Sequence, residues 1–426
     1  VKPFILHFRP PRSSSLCVCV RVRVRVLASV CVCARARIQS MKHNLLIVGA
    51  GPIGIELAIH ALDTFDVTIC ERAPSFAGNV REWGHVSLFS PWDLNVSNKG
   101  KNIAGLEVSD DAFPTGDEYL SNYLGPLWSH LSSSGAKLLT NTRVVSMTKS
   151  GKNKGDMKDR GDGGFKVLVE KEGGEEELIC CDKVCDCSGT WGNRNYVGEG
   201  GMPALGERKL GGKIIKGLPK EIGKFEGKTT MVVGSGASAI TFIASLVSSD
   251  KGGEIVWVTR RNEGLYERIE NDPLPQRDAL SVLAQELIKE GGRGGWKVTH
   301  KGGGTIKELK EDDEGRMEVT LGDGTVVAVD ELVSATGYRP DTTIFQELQV
   351  HQCYATEGPM KLAAALMSSG GGGGDCLAQV SQGPETLMNP EKGFFVLGMK
   401  SYGRGSAFLL KVGIDQVRMV MELLKQ

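Results

Sequence analysis

Short, nearly unbroken apolar runs recur along the chain, each stopped by glycine or by charge: Leu45-Leu46-Ile47-Val48, Val67-Thr68-Ile69-Cys70, Met231-Val232-Val233 and Ile255-Val256-Trp257-Val258. Runs this short with little polar alternation predict strands buried on both faces, as in parallel sheets. After the first and third runs the period becomes helical, through Ile55, Leu57, Ala58, Ile59 and Leu62 in one case and from Ser238 through Leu246 in the other. Further strands are predicted around Val144-Val145 and at 165–169, 184–187, 317–321, 325–329 and 394–397. Thr115 and Glu118 have the spacing of a capping box and open a helix through Tyr119, Leu120, Tyr123 and Leu124. An amphipathic helix is expected through Leu280, Leu283, Ala284, Leu287 and Ile288, and a last one over 407–424, broken only by Gly413. The Lys/Gly/Asp-rich stretch 150–164 reads as a solvated loop, and the run Gly370 to Gly374 as a flexible insert.

Glycine separates strand from helix in the two repeated units, as Gly49-Ala50-Gly51-Pro52-Ile53-Gly54 and Gly234-Ser235-Gly236-Ala237-Ser238-Ala239. With 56 glycines in 426 residues one such cluster would mean little, whereas two in matching strand-turn-helix contexts predict two dinucleotide sites. The first glycine permits a tight turn, the second lets backbone approach a pyrophosphate, and the third lets helix and strand pack closely, a place that Ala239 can also fill. The phosphates then lie at a helix N-terminus. Glu71 ends the strand after the first cluster, where an acid bonds ribose hydroxyls and would repel a 2′-phosphate. Arg260 and Arg261 stand at the same place in the second unit, where guanidinium groups match a 2′-phosphate, so NADPH is expected there. Pro52, Arg72, Val145, Ser188 and Gly189 join the first set of cofactor-binding candidates, and Ser238, Thr336 and Gly337 the second. The common chemical reason for two dinucleotides on one chain is hydride transfer from a nicotinamide to a flavin.

Between these landmarks, residues 79–95 are too irregular for a helix and rich in aromatic and hydrogen-bonding groups, which suits a cofactor lining. Within it His85, Ser90 and Asn95 are candidates for chemistry, as are Lys400 and Arg404 near the C-terminus. The chain carries 51 basic and 51 acidic residues, so no net field draws nucleic acid or an anionic surface, and small-molecule partners are expected. No apolar run approaches the ~18 residues of a membrane span. Four of the 11 cysteines, Cys180, Cys181, Cys185 and Cys187, crowd one strand-like stretch. Neither CxxC nor paired Cys/His spacing occurs, so reduced, buried thiols are expected and no metal site.

Residues 1–40 have no acidic residue and carry the alternations Cys17-Val18-Cys19-Val20, Arg21-Val22-Arg23-Val24-Arg25-Val26 and Ala34-Arg35-Ala36-Arg37, with further cysteines at Cys31 and Cys33. Val, Cys, Arg and Ala are what a GT/GC dinucleotide repeat encodes, so translated repeat DNA upstream of a functional start at Met41 is the expectation. The alternative is an organelle transit peptide, which such Arg-rich, acid-free segments also resemble. Without it, a cytoplasmic location is expected.

The order of these segments, with Ala335-Thr336-Gly337-Tyr338-Arg339-Pro340 after the second glycine cluster, resembles the two-dinucleotide-domain flavoproteins: thioredoxin reductases, flavin-containing monooxygenases and N-hydroxylating monooxygenases. Trp83-Gly84-His85-Val86-Ser87-Leu88-Phe89-Ser90-Pro91-Trp92 and Gly398-Met399-Lys400-Ser401-Tyr402-Gly403-Arg404 are similar to a largely uncharacterised group of bacterial-type FAD-dependent oxidoreductases. The resemblance implies an α/β fold of two Rossmann-like dinucleotide-binding domains with parallel sheets and β-meanders, the second inserted into the first. It places FAD on 41–225 and 335–426, NADPH on 226–334, and a C-terminal segment over the flavin. A helix N-terminus there, with Lys400 or Arg404 nearby, would stabilise negative charge on reduced flavin. Thiol pairs for disulfide reduction are absent at the family positions, and Phe225-Glu226-Gly227 lacks the following His and Trp of the FxGxxxHxxxW fingerprint. The leading expectation is an NADPH-dependent monooxygenase that passes oxygen from dioxygen to a nucleophilic N or S atom of a small molecule. The alternatives are a reductase serving a quinone or similar acceptor and a non-enzymatic redox sensor; a homodimer is compatible with each.

Replacing Arg260 and Arg261 with alanine should raise KM for NADPH by roughly 10- to 100-fold, the loss of charge-assisted hydrogen bonds, and leave KM for NADH unchanged. Steady-state kinetics with both nucleotides checks this, and equal effects would refute the assignment.

Overall fold

From β1 (His43–Val48) the chain enters helix α1 (Pro52–Ala61), β2 (Phe65–Cys70) and, after the helices of 98–133, β3 (Lys137–Leu139). A meander of β4 (Thr142–Lys149), β5 (Phe165–Lys171) and β6 (Glu176–Cys181) precedes β7 (Lys183–Asp186). Then come β8 (Ile214–Lys216), β9 (Thr229–Val233), α2 (Ala237–Val247), β10 (Gly253–Val258), α3 (Pro275–Glu290), β11 (Gly292–Arg293) and β12 (Trp296–Lys301). A second meander, β13 (Ile306–Glu311), β14 (Met317–Leu321) and β15 (Val326–Val329), leads to β16 (Glu331–Ser334), and β17 (Phe394–Val396) and α4 (Leu410–Leu424) close the chain. This computed structural model describes residues 42–161, 163–262, 268, 274–368 and 382–426. The expectations for residues 1–40 and for the Gly370 to Gly374 run lie outside the described residues.

One sheet has the order β17-β7-β1-β2-β3 and the other β11-β12-β10-β9-β16-β8. Every pairing of known register in the first is parallel, as are all in the second except β11 with β12. All strands of the second sheet fall between β7 and β17 of the first, so the fold is α/β with one Rossmann-like unit inserted into another. Strand β8 already belongs to the second sheet, ahead of the boundary at 226 read from the sequence.

The apolar runs are unbroken because each central strand serves two cores. Leu45 and Ile47 pack with Ile55, Leu57 and Ile59 of α1 and with Val417 and Val420 of α4, whereas Leu46 and Val48 pack with Val144, Val167 and Phe394 on the meander side. In the second sheet Met231 and Val233 face Val319 and Leu321 of the meander, and Val232 faces Phe242 of α2 and Leu287 of α3. A strand covered on both faces has no place for polar alternation.

Four local expectations need correction. Residues 79–95, expected to be too irregular for a helix, have their first residues in a short one, Gly78–Glu82. The last helix begins at Leu410, since Leu409 is extended at φ −114°, ψ 149°. The helix opened by the Thr115 capping box runs on to Ser133, but through a π-helical turn at Leu120–Leu124. The loop 150–164 is not simply solvated, because Arg160 is buried and donates to Glu391 Oε2 at 2.6 Å.

Helix α1, enclosed nearly all round, carries a fully buried Glu56. Its Oε1 accepts hydrogen bonds from the Tyr123 hydroxyl and from the Ser97 amide. Its Oε2 lies 3.8 Å from His60 Nε2, and burial pushes His60 down to about 4, so the imidazole is neutral. Burial likewise pushes the Glu56 carboxyl up, against the hydrogen bonds from Tyr123 and Ser97. A carboxyl whose folded-state pKa exceeds its unfolded value of 4.5 contributes fully below that pH and loses its contribution as pH rises through the raised value. Glu56→Gln should therefore weaken the fall in stability with rising pH, whereas Glu56→Ala should cost about 1–3 kcal/mol by stranding Tyr123. Urea unfolding between pH 5 and pH 8 checks both.

Candidate active site

The carboxyl ends of β1, β7 and β17 meet in register, Val48 beside Asp186 and Asp186 beside Val396. Ligands of open α/β sheets bind at such an edge. Gly49 turns there at φ +96°, its amide donating to Cys70 O at 2.7 Å, and a Cβ on it would stand 2.9 Å from Cys187 O. Only glycine lets the two loops lie this close. Gly54 faces the Gly49 carbonyl, which a Cβ there would overlap. Open space faces Gly51, and no side chain caps the N-terminus of α1, so the first amides of this helix are left for an anion.

A cavity of about 620 Å3 occupies this edge. It gathers Gly49, Gly51, Pro52, Glu71, Arg72, Val145, Ser188, Gly189 and Lys400 from the sequence-derived candidates. Glu71 is held by two backbone amides, Ala50 to Oε2 at 2.8 Å and Ala73 to Oε1 at 2.9 Å, which fix its carboxylate on the cavity wall. Sequence reasoning passed over Arg339, Asp341, Thr343, Phe408 and Leu410, which also line it. Burial pushes the Asp341 carboxyl up, but hydrogen bonds from the Thr343 amide and hydroxyl outweigh this and hold it below its usual range. Arg339 Nε is buried without a protein partner in the cavity wall.

The residue most plainly missed is Asp186, completely buried at the end of β7. Lys400, 1% exposed, donates from Nζ to Asp186 Oδ2 at 2.6 Å and to Ser188 Oγ at 3.0 Å. Ser188 returns its hydroxyl and amide to Asp186 Oδ1 at 2.6 and 3.0 Å, closing a triangle. A carboxylate ending an apolar strand directly before Ser-Gly was the available signal, since a buried charge requires a partner. Cys70 and Cys187 also line the cavity, and burial pushes Cys70 up to about 12 and Cys187 well above its usual value, so both remain thiols. Cys181 and Cys185 are buried and pushed up as well, Cys181 to about 12, while Cys180 is exposed.

The second glycine cluster repeats the first turn. Gly234 has φ +130°, donates to Val258 O at 3.0 Å, and a Cβ on it would overlap the Ala335 carbonyl. Gly236 faces open space at the uncapped start of α2, Ser238 lies in the first turn of that helix, and Ala239 is fully buried against the sheet. Arg260 and Arg261 are exposed just after β10, on a turn held by the Thr259 hydroxyl, which bonds Arg261 O and His300 Nε2 at 2.8 Å each. Thr336 and Gly337 lie in the return connection, where the Thr336 hydroxyl donates to Asn195 O at 2.7 Å and Asn195 N donates to Gly337 O at 3.0 Å. They join the two connections between the sheets and are not in the lining of the first cavity.

The segment 79–95 divides. Asn79 and Val80 line the first cavity, while His85, Ser87 and Phe89 line a second cleft of about 400 Å3 against α2 and α3. Ser90 and Asn95 line neither: the Ser90 hydroxyl donates to Asn95 Oδ1 at 2.7 Å, and the Asn95 amide donates to the Ser90 and Pro91 carbonyls. Their polar atoms hold the loop in shape and are not free for a reactant. Arg404 pairs with Glu357 at 2.8 Å, outside the first cavity, whereas Lys400 lies within it. Among the described residues there is no group of three or more His, Cys, Asp or Glu placed to hold a metal ion, and no helix long and apolar enough to cross a membrane.

No protein-family model matches the chain. Over 224 residues it is 28% identical to the FAD-containing monooxygenase EthA of Mycolicibacterium smegmatis, a match spanning 48% of this chain and 39% of that protein, well under half its length. Among solved structures, bacillithiol disulfide reductase Bdr (YpdA) from Bacillus cereus has a TM-score of 0.62 at 18% identity, covering 90% of this chain and 99% of that one. DfoA, the cadaverine monooxygenase of Erwinia amylovora in its FAD-bound form, has a TM-score of 0.59 at 12% identity, covering 90% and 95%. The chain thus shares its fold with both disulfide reductases and monooxygenases.

Breaking the buried pair by Lys400→Met should cost about 3–5 kcal/mol because Asp186 is left uncompensated. Lys400→Met with Asp186→Asn should recover most of that loss. Arg404→Ala, at a partly exposed pair, should stay within about 1 kcal/mol. Urea unfolding of the three variants reads the difference.

Proposed function

We propose that the chain is an FAD-dependent, NADPH-using oxidoreductase, and that it acts as a monooxygenase on a nucleophilic N or S atom of a small molecule. The observation that carries the reading is the first cavity, where a glycine turn, an uncapped helix N-terminus, a fixed carboxylate and a buried cation converge on a space of dinucleotide size. These groups fit FAD. The open face of Gly51 and the first amides of α1 would hold its pyrophosphate, with Arg339 Nε available as a further donor. Glu71 would accept from the ribose hydroxyls, its orientation set by the amides of Ala50 and Ala73.

When bound, FAD supplies hydride acceptance from NADPH and delivery of electrons to dioxygen. The chain's own part is to bind, orient and exclude water. Two of the three Lys400 ammonium protons have partners in Asp186 and Ser188 and the Phe345 ring lies 5.3 Å from Nζ, so Lys400 would act on the bound group through the charge it places in the cavity wall. Phe408 and Leu410 bring the start of α4 to the wall, where its dipole favours negative charge. Gly234, Gly236 and the first turn of α2 would take the NADPH pyrophosphate, with Arg260 and Arg261 on its 2′-phosphate. Residues 41–225 and 335–426 form the FAD-binding part and 226–334 the NADPH-binding part, with β8 lent to the second sheet. The protonated thiols of Cys70 and Cys187 favour oxygen chemistry over thiol exchange.

Purified protein supplied with FAD, NADPH, dioxygen and methyl p-tolyl sulfide should consume NADPH and dioxygen and form sulfoxide in a ratio of one to one to one. NADPH oxidation that yields hydrogen peroxide or reduces a quinone without sulfoxide would replace oxygenation by electron transfer. No NADPH oxidation with any acceptor would leave the sensor reading.

A further inference from the structure

The second cleft belongs to neither glycine fingerprint. Its wall from α2 is Thr241, Phe242 and Ser245, one to two turns beyond the N-terminus where a pyrophosphate would lie, and its wall from α3 includes Ala279 and Leu283. Phe89 and Leu218 face them. Among the described residues no Asp, Glu, Lys or Arg lines it. His85, the one titratable side chain among its described lining residues, is held below its usual pKa by burial and by Lys220, against a smaller opposing pull from Asp117, and so stays neutral near pH 7. An ion placed in this cleft would lose hydration and find no counter-charge among its described lining residues, whereas a neutral apolar molecule would cover aromatic and aliphatic surface and find hydrogen-bonding groups in His85, Thr241 and Gln276.

The wall formed by 85–89 is held in place without a ligand. Asp117 N donates to Gly84 O at 2.7 Å, Gly116 N to Val86 O at 2.9 Å and Leu88 N to Pro114 O at 2.8 Å. Gly84 lies so close to the Asp117 carboxylate, and Gly116 to the Trp83 ring, that neither has room for a Cβ. The same segment reaches the first cavity through Val80. His85 is five positions beyond Val80, so their Cα atoms are at most about 18 Å apart.

We propose that this cleft binds a neutral, largely apolar small molecule of up to roughly a dozen water volumes, and that this is the substrate class delivered to the flavin cavity. The second clause rests on the proposed function; the binding itself does not.

The test uses the FAD-loaded full chain and Nile red, a neutral solvatochromic dye, read by emission titration. The dye should bind saturably at one site, and methyl p-tolyl sulfide should displace it at least tenfold more effectively than the anionic 4-(methylthio)benzoate. Ala279→Trp and Ser245→Trp, at exposed positions on the two facing helices, should each weaken dye binding tenfold or more. FAD content and the rate of NADPH-driven flavin reduction should not change. Unchanged dye affinity in both variants, or equal displacement by the benzoate, would overturn the proposal. Should one variant lose FAD, the other decides. Dye binding as described without sulfoxide formation would leave the cleft standing and remove only its link to oxygenation.

Discussion

Backbone lying directly on backbone at the carboxyl edge of each sheet is the constraint from which the rest follows. Gly49 rests against Cys187 and Ser188, and Gly234 against Ala335, at separations where a Cβ cannot stand. In each case the glycine amide is tied to the end of the neighbouring strand, Cys70 or Val258. These contacts bring the loop after one strand onto the loop after another and leave the following helix N-terminus uncapped and facing outward. Cys187-Ser188-Gly189 and Ala335-Thr336-Gly337 are thus equivalent pieces of two copies of one device, and both final glycines have positive φ.

Charge breaks the equivalence. Ser334 is the last residue of β16, and Asp186, the last residue of β7, takes the matching place in the first sheet. A carboxylate buried there demands a counter-ion, and Lys400 supplies it across the cavity wall from the C-terminal segment. Buried ion pairs return little net stability compared with apolar side chains of similar volume. The more economical account of this one is its position: Lys400 lines the cavity and the pair fastens the C-terminal segment to the end of β7.

The sequence made the frame legible where one physical rule acts alone. Unbroken apolar runs marked strands covered on both faces, and the glycine turns marked the edge they lead to. Legibility failed where the deciding partner is remote along the chain. Arg160 pairs with Glu391, and Asp186 with Lys400, across the whole inserted unit. Short strands such as β3 and β8 carry too few residues for a pattern and are held by the sheet beside them. Ser90 and Asn95 drew notice as polar groups in an aromatic stretch, and that polarity closes a loop. His85 and Asn79, six positions apart, serve different cavities, which no local pattern distinguishes.

The two glycine turns also differ in enclosure, and on the proposed reading this bears on how long each cofactor would stay. The first lies in a walled cavity reached by groups from the glycine turn, the meander, the return connection and the C-terminal segment. The second presents exposed arginines after β10, where salt and solvent screen their attraction. Residence time follows the number of desolvated contacts that must break together, and long-range charge chiefly speeds arrival. On the proposed reading the first site therefore keeps FAD through many turnovers, while the second captures NADPH quickly and releases its oxidised form. On the same reading substrate has an entrance of its own, because the cleft that includes His85 is lined by the stretch of chain that reaches the first cavity through Val80.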